Sequence, residues 1–355
     1  MNDSSVVATP KKILIVRLGA MGDILHAIPA AIMLKCSFPD AEIGWVMEKR
    51  WADLLAPIPF ITRRHLVDTR SWRKHPLDKR HEVLTALREI RASKYNIVVD
   101  FQGAIKSAAF ALLSGAPRRY GFNDPWEKPA SLAYTNTVIT RATHVVQQNS
   151  QLAEKIVEQH GGIINNEYYC PVYDPLPEFE SWAENKIAEL RLRPRFALLN
   201  PGAGWGAKQW PAERYAEVTR ELGNQGIRSL INYGPGEEEL ARIVESQSDG
   251  HAIAATFTIS QLIAVTRRAS LFIGGDTGPL HLADFFHDVP IVAIFGPTDP
   301  ARTGPQSKKS IVLRDPSSIT SHKRVKNAEA GLLNITAAEV LHAARELLAT
   351  KGVNA

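Results

Sequence analysis

Apolar positions along this chain follow two alternating rhythms. Short runs rich in β-branched residues read as strands buried on both faces, and between them apolar residues recur three and four apart, the period of an amphipathic helix. In the first half the pattern predicts strands over Lys11 to Leu18, Glu42 to Met47, His65 to Asp68 and Asn96 to Phe101. Helices are predicted over Asp23 to Cys36, Asp78 to Ala92, Ala104 to Ser114 and Gln147 to His160. The second half repeats the theme, with strands over Phe196 to Asn200, Ser229 to Tyr233, Ala252 to Ala255, Leu271 to Gly274 and Ile291 to Phe295. Its helices are Ala212 to Leu222, Glu237 to Glu245, Ser260 to Arg268 and Pro279 to Phe286.

Strand and helix in alternation mean a parallel sheet covered by helices, so the fold class is α/β with two Rossmann-like, doubly wound domains and a ligand cleft between them. The expected division is 1–170 for the first domain and 191–335 for the second. A Pro-rich, acidic stretch, Pro171 to Glu180, opens a linker expected over 171–190. The amphipathic helix Ala337 to Leu348, within a tail over 336–355, is expected to pack back across the first domain.

At 355 residues the chain exceeds one core, and its 45% hydrophobic and 22% charged content is that of a folded protein. The polar start, Met1 to Lys12, does not read as a signal peptide, and no apolar run approaches the about 20 residues that cross a bilayer. A cytoplasmic protein is expected. Cys36 and Cys170 lack metal-ligand spacing and read as reduced thiols. The charge of +5 is clustered: Arg63, Arg64, Arg70, Arg73, Lys74, Lys79 and Arg80 face only Asp68 and Asp78. A charge run is often no more than a solvated face.

In open parallel sheets ligands sit beyond the carboxyl ends of strands, so the loops there carry the candidate chemistry. The first, Gly19 to Asp23, is spaced G-x-x-G-D and is not a dinucleotide fingerprint; Asp23 taken alone is more ordinary as a helix cap than as a catalyst. The second, Gly202 to Pro211, is glycine-rich and places Lys208 as a point charge suited to phosphate, where a solvated lysine is the plain alternative. The third, Gly274 to His281 (GGDTGPLH), runs from strand into helix, so Thr277 and Gly278 offer amides at the positive end of a helix dipole and His281 stands about one turn beyond. A fourth, Gly234 to Glu239, puts carboxylates at a helix start, where they serve a ribose or the dipole equally well. No D-x-D occurs, so cations and helix amides, not a metal, are expected to carry a diphosphate.

Five segments together resemble glycosyltransferase family nine: Ile13 to Pro29 (ILIVRLGAMGDILHAIP), Asp100 to Ser107 (DFQGAIKS), Lys208 to Pro211 (KQWP), Gly275 to His281 (GDTGPLH) and Phe295 to Pro300 (FGPTDP). Within that family the chain is most similar to the heptosyltransferases of the lipopolysaccharide inner core, and Trp45 to Glu48, Trp72 to Lys74 and the DFQGAIKS stretch look most like their type I branch. The resemblance implies a GT-B fold and an inverting, metal-independent transfer of L-glycero-D-manno-heptose from ADP-heptose to a Kdo residue of lipid A. It implies Asp23 as general base, Lys208 on the donor phosphates and as a catalytic group, and Thr277 and Gly278 on the diphosphate. Glu238, or its neighbour Glu237, would meet the ribose; Phe257 would pack on adenine; Asp276 and His281 match other donor positions. Arg70, Arg73, Lys74, Gln102 and Lys106 would meet the anionic acceptor. Ala203 and Gly204 depart from the pattern, which tends to carry threonines there.

The resemblance implies no cofactor, no nucleic-acid partner and at most a peripheral contact with the inner membrane. Domain closure would bring Asp23 to the donor. Another transferase of the family, a nucleotide-sugar epimerase and a non-catalytic binding module remain the alternatives.

Overall fold

The computed structural model describes residues 9–163, 173, 175–321 and 323–350. The chain forms two compact units, Met1–Asp174 and Pro175–Ala355. The first unit holds strands β1 (Lys12–Val16), β2 (Glu42–Glu48), β3 (Ile61–Val67), β4 (Ile97–Asp100), β5 (Arg118–Phe122) and β6 (Asn136–Val138). The second holds β7 (Phe196–Asn200), β8 (Arg228–Asn232), β9 (Ala252–Ala255), β10 (Leu271–Gly275), β11 (Ile291–Phe295) and β12 (Ser310–Arg314).

Every pairing is parallel, in the order β3-β2-β1-β4-β5-β6 in one sheet and β12-β11-β10-β7-β8-β9 in the other. Read in chain order, both sheets have the Rossmann arrangement, in which the winding reverses beside the first strand. The central strands read as continuous apolar runs because helices cover both faces: Ile13, Leu14, Ile15 and Val16 of β1 are fully buried. Three strands lay outside the sequence pattern: β5 begins Arg118-Arg119, β6 has three residues, and β12 is nowhere buried. β6 and β12 lie at the rims of their sheets, where one flank faces solvent and dilutes the apolar signal, whereas β5 lies between β4 and β6 and is masked by its two arginines.

The expected helix over Asp23 to Cys36 is two helices, Met21–Leu25 and Ile28–Ser37. Pro29 has no amide to donate to the Leu25 carbonyl, so the ladder breaks there. The linker expected over 171–190 is mostly a helix, Pro177–Glu189, belonging to the second unit. It packs on helix Ile259–Arg268, where Arg268 pairs with Glu180 and, at 3.1 Å, with Glu184. The residues Pro171, Val172 and Asp174 of that linker, with Cys170, lie outside the described residues.

The final helix, Ala337–Thr350, also differs from expectation. Its apolar stripe is committed to the second unit: Val340, Leu341, Ala344 and Leu347 join Trp210, Tyr215, Val292 and Ile294 in one core. Trp210 seals the join, its Nε1 donating to the Ile335 carbonyl at 2.9 Å. Among the described residues no helix is long and apolar enough to cross a membrane. Leu341→Ala should therefore cost the second unit about 2–5 kcal/mol in denaturant unfolding; a change near zero would mean that this helix is not packed there.

Candidate active site

Asp23 sits in the first turn of helix Met21–Leu25, directly after β1. Its Oδ2 accepts from the Ala20 amide at 2.7 Å, a capping contact, while its Oδ1 meets Arg17 Nη2 at 2.6 Å. The Arg17 side chain is 9% exposed and that of Asp23 is 43% exposed. Arg17 also donates to the Phe101 carbonyl at 2.5 Å, so the buried cation ties the loop after β1 to the loop after β4. The cap and the presented carboxylate coexist, because a carboxylate has about four acceptor positions and two suffice to hold it. Arg17 is the residue that sequence reasoning passed over; a lone arginine ending an apolar strand was the available signal.

Gln102 strengthens the same junction, its Oε1 accepting from the Leu18 amide at 3.0 Å. Beneath it, Asp100 is fully buried and takes four hydrogen bonds: Gln102 N at 2.8 Å, Gly103 N at 3.2 Å, Ser107 Oγ at 2.7 Å and Tyr134 Oη at 2.8 Å. Burial pushes its carboxyl up, and these donors oppose that push. Asp100 thus shapes the loop that carries Gln102 and Lys106.

Lys106 reaches the ends of two neighbouring strands, with Nζ 2.8 Å from Thr69 Oγ1 and 3.4 Å from Glu48 Oε1. Thr69 in turn donates to Glu48. Arg70, Arg73 and Lys74 follow on the short helix Thr69–Lys74, all exposed and, among the described residues, outside any ion pair. The structure therefore brings Lys106 to the foot of the basic helix, a link not visible across the intervening sequence.

In the second unit, Lys208, Asp276 and His281 form one cluster. Lys208 Nζ lies 2.5 Å from Asp276 Oδ2 and 3.1 Å from its carbonyl, and His281 Nε2 lies 3.1 Å from Asp276 Oδ1. Burial would push the Asp276 carboxyl up, but the hydrogen bond and charge of His281, with those of Lys208, outweigh it and hold the group well below the usual carboxylate range. Lys208 also lies over the Trp205 ring at 4.7 Å, with Arg324 on the same ring at 6.0 Å. Trp205 and Arg324 were not singled out in the sequence.

Thr277 is the N-cap of helix Gly278–Phe285, so the first-turn amides have no acceptor within the helix and point out beside Lys208. Of the two candidate acids, Glu237 leans on the loop after β7: a β-carbon on Gly202 would lie 2.0 Å from its carboxyl carbon. Its Oε2 accepts from Gly234 N at 2.9 Å. Glu238 is exposed and turned to its own Gly236 amide at 3.1 Å. Phe257, half-buried after β9, stands edge-on to Trp182 at 5.9 Å.

The family model described as Glycosyltransferase family 9 (heptosyltransferase) matches residues 83–332, well over half of the chain. The chain belongs to glycosyltransferase family 9. It is 27% identical over 315 residues to lipopolysaccharide heptosyltransferase 1 of Escherichia coli (strain K12), covering 86% of this chain and 94% of that one. Among solved structures it is similar to a family 9 glycosyltransferase of Veillonella parvula (TM-score 0.80, 25% identity, 96% and 98% of the two chains). It is also similar to E. coli heptosyltransferase WaaC with ADP-2-deoxy-2-fluoro heptose (TM-score 0.74, 25% identity, 94% and 99%).

In this family 9 glycosyltransferase the Lys208 and Asp276 pair carries a testable stability signature. A carboxyl depressed in the folded state contributes stability that is present above its unfolded value, about 3.9, and lost as pH falls through the folded value. The difference in unfolding free energy between the parent and Asp276→Asn should be largest near neutral pH and narrow below about pH 4. A difference that stays flat into acid would sink the depressed carboxyl.

Proposed function

We propose that this glycosyltransferase moves L-glycero-D-manno-heptose from ADP-heptose to a Kdo residue of lipid A, with inversion and without a metal, in the building of the lipopolysaccharide inner core. The family model and the name of the E. coli relative support the heptosyl donor and the lipopolysaccharide acceptor. The observation that carries the chemistry is the presented carboxylate of Asp23, fixed on one side by buried Arg17 and capped by the Ala20 amide, with no second carboxylate among its partners in the described residues. An inverting transfer needs one such base, whereas retention through a covalent intermediate needs a second carboxylate as nucleophile.

In this reading Asp23 takes the proton of the acceptor hydroxyl as its oxygen bonds to the anomeric carbon, and the bond from that carbon to the phosphate oxygen breaks. ADP leaves with the electron pair. Lys208 has three N–H groups and directs two at Asp276, which leaves one for a phosphate oxygen. The amides of Thr277 and Gly278 supply the remaining stabilisation of the leaving diphosphate, an arrangement worth several kcal/mol in such sites. The contact of Glu237 with Gly202 favours it over Glu238 for the ribose, and Phe257 is the candidate for adenine. Arg70, Arg73, Lys74, Gln102 and Lys106 are assigned to the anionic acceptor. A nucleotide-sugar donor places the reaction on the cytoplasmic side of the inner membrane.

The test is ADP release from ADP-heptose with Kdo-bearing lipid A, with and without a chelator, beside GDP- and UDP-sugars and heptose-bearing acceptors. Chelator-insensitive, acceptor-dependent release is expected. Turnover only with another donor or acceptor would move the substrate within the family. Asp23→Asn should cut turnover by about 10²–10⁴-fold while ADP affinity stays near the parent's; equal loss of both would overturn the base.

A further inference from the structure

The carboxyl edge of the first sheet carries a row of exposed apolar side chains that the transfer chemistry does not use. Trp126 is 67% exposed, Leu132 87%, Ile105 54% and Leu112 51%. They belong to one surface. The loop after β4 touches the segment after β5, since a β-carbon on Gly103 would lie 3.0 Å from Pro125 Cβ and 3.2 Å from Trp126 N. Glu127 fastens the two together, its amide donating to the Gly103 carbonyl at 2.9 Å and its Oε2 accepting from Ile105 N at 2.6 Å. The turn Lys128–Ala133 then packs on helix Ile105–Leu113 through Ala108, Ala130, Ala133 and Tyr134, which leaves Leu132 outside that small core. Ile105 and Leu112, two turns apart, share one side of the helix.

The same edge is cationic. Lys106, next to Ile105, hydrogen-bonds Thr69 at 2.8 Å, and Thr69 opens the helix that bears Arg70, Arg73 and Lys74, followed by Leu77 at 79% exposure. Lys128, two residues after Trp126 in the chain, is exposed. Of the neighbouring acids, Asp68 caps Ser71 N at 2.9 Å and Glu127 holds Ile105 N, while Asp78 and Asp124 are exposed.

Apolar tips on separate loops, one of them tryptophan, ringed by arginine and lysine, match the layered chemistry of an anionic bilayer. Indole rests at headgroup depth, aliphatic tips reach the acyl boundary, and cations meet lipid phosphates. A soluble protein partner would be met by a continuous apolar patch with a polar rim instead. We propose that this edge docks on an anionic membrane surface, with Trp126, Ile105 and Leu132 entering the interface and Arg70, Arg73, Lys74 and Lys128 on the headgroups. The purpose rests on the lipid acceptor proposed above; the docking is tested apart from it.

The full chain and a Trp126→Ser, Leu132→Ser double variant would be co-sedimented with vesicles of phosphatidylcholine alone and of phosphatidylcholine with phosphatidylglycerol. Both would also be assayed on a deacylated, water-soluble Kdo acceptor. The parent should bind the anionic vesicles more tightly than the neutral ones and weaken as salt rises. The double variant should lose about tenfold or more of that binding while its turnover on the soluble acceptor stays within about twofold. Equal vesicle binding by parent and variant, or no preference for the anionic vesicles, would overturn the docking. Intact vesicle binding with no soluble turnover would support the docking and count against the proposed reaction.

Discussion

Parallel strands under helices on both faces leave a protein almost nowhere to keep polar chemistry except the strand ends. The side chains of Ile13 to Val16 in β1 and of all of β7 are buried, and towards the carboxyl end the loops that follow are the first places where a charge meets water. Because the winding reverses beside each of these strands, two loops diverge there and leave a notch. Asp23 and Gln102 come from the loops after β1 and β4; Lys208 and Thr277 come from those after β7 and β10. The same topological accident, used twice, sets the position of the Asp23 carboxylate in one unit and of the Lys208 and Asp276 pair in the other.

Each notch solves a problem of charge. Arg17 is too deeply placed to stand alone, and Asp23 neutralises it while keeping its outer face in solvent. In the second unit Asp276 is the deeper member, and Lys208 and His281 compensate it. The lysine is therefore held in place by the carboxylate and carbonyl of Asp276. Both charged clusters are thus restrained by their own partners.

The central strands and the Gly-rich loops were legible because burial on both faces and sharp backbone turns both force composition. Strands β7, β9 and β11 carry the boundaries that their apolar runs predict, whereas β6 and β12 were missed at the rims of their sheets and β5, inside its sheet, was masked by the arginine pair that opens it. Candidate residues were found one at a time through the loop that bears each. Their partnerships were not, since the bond from Arg17 to Phe101, the reach of Lys106 to Thr69 and the stacking of Arg324 on Trp205 join positions far apart in sequence. The final helix was misplaced for the same reason: an amphipathic stripe announces that it will be buried, but not against what.

The glycine at 206 ties the two ends of the second unit into a single inheritable piece. A β-carbon there would lie 1.6 Å from the Lys326 carbonyl oxygen, and the strand of chain so close by is bonded to Ala207 through Val325 and Glu329. The glycine-rich loop and the tail that brings Arg324 to Trp205 are thus two halves of one mould. A chimera that grafted a relative's C-terminal segment onto this chain would have to carry the loop over Gly202 to Lys208 with it, and drift at either end of the second unit is constrained by what the other end will admit.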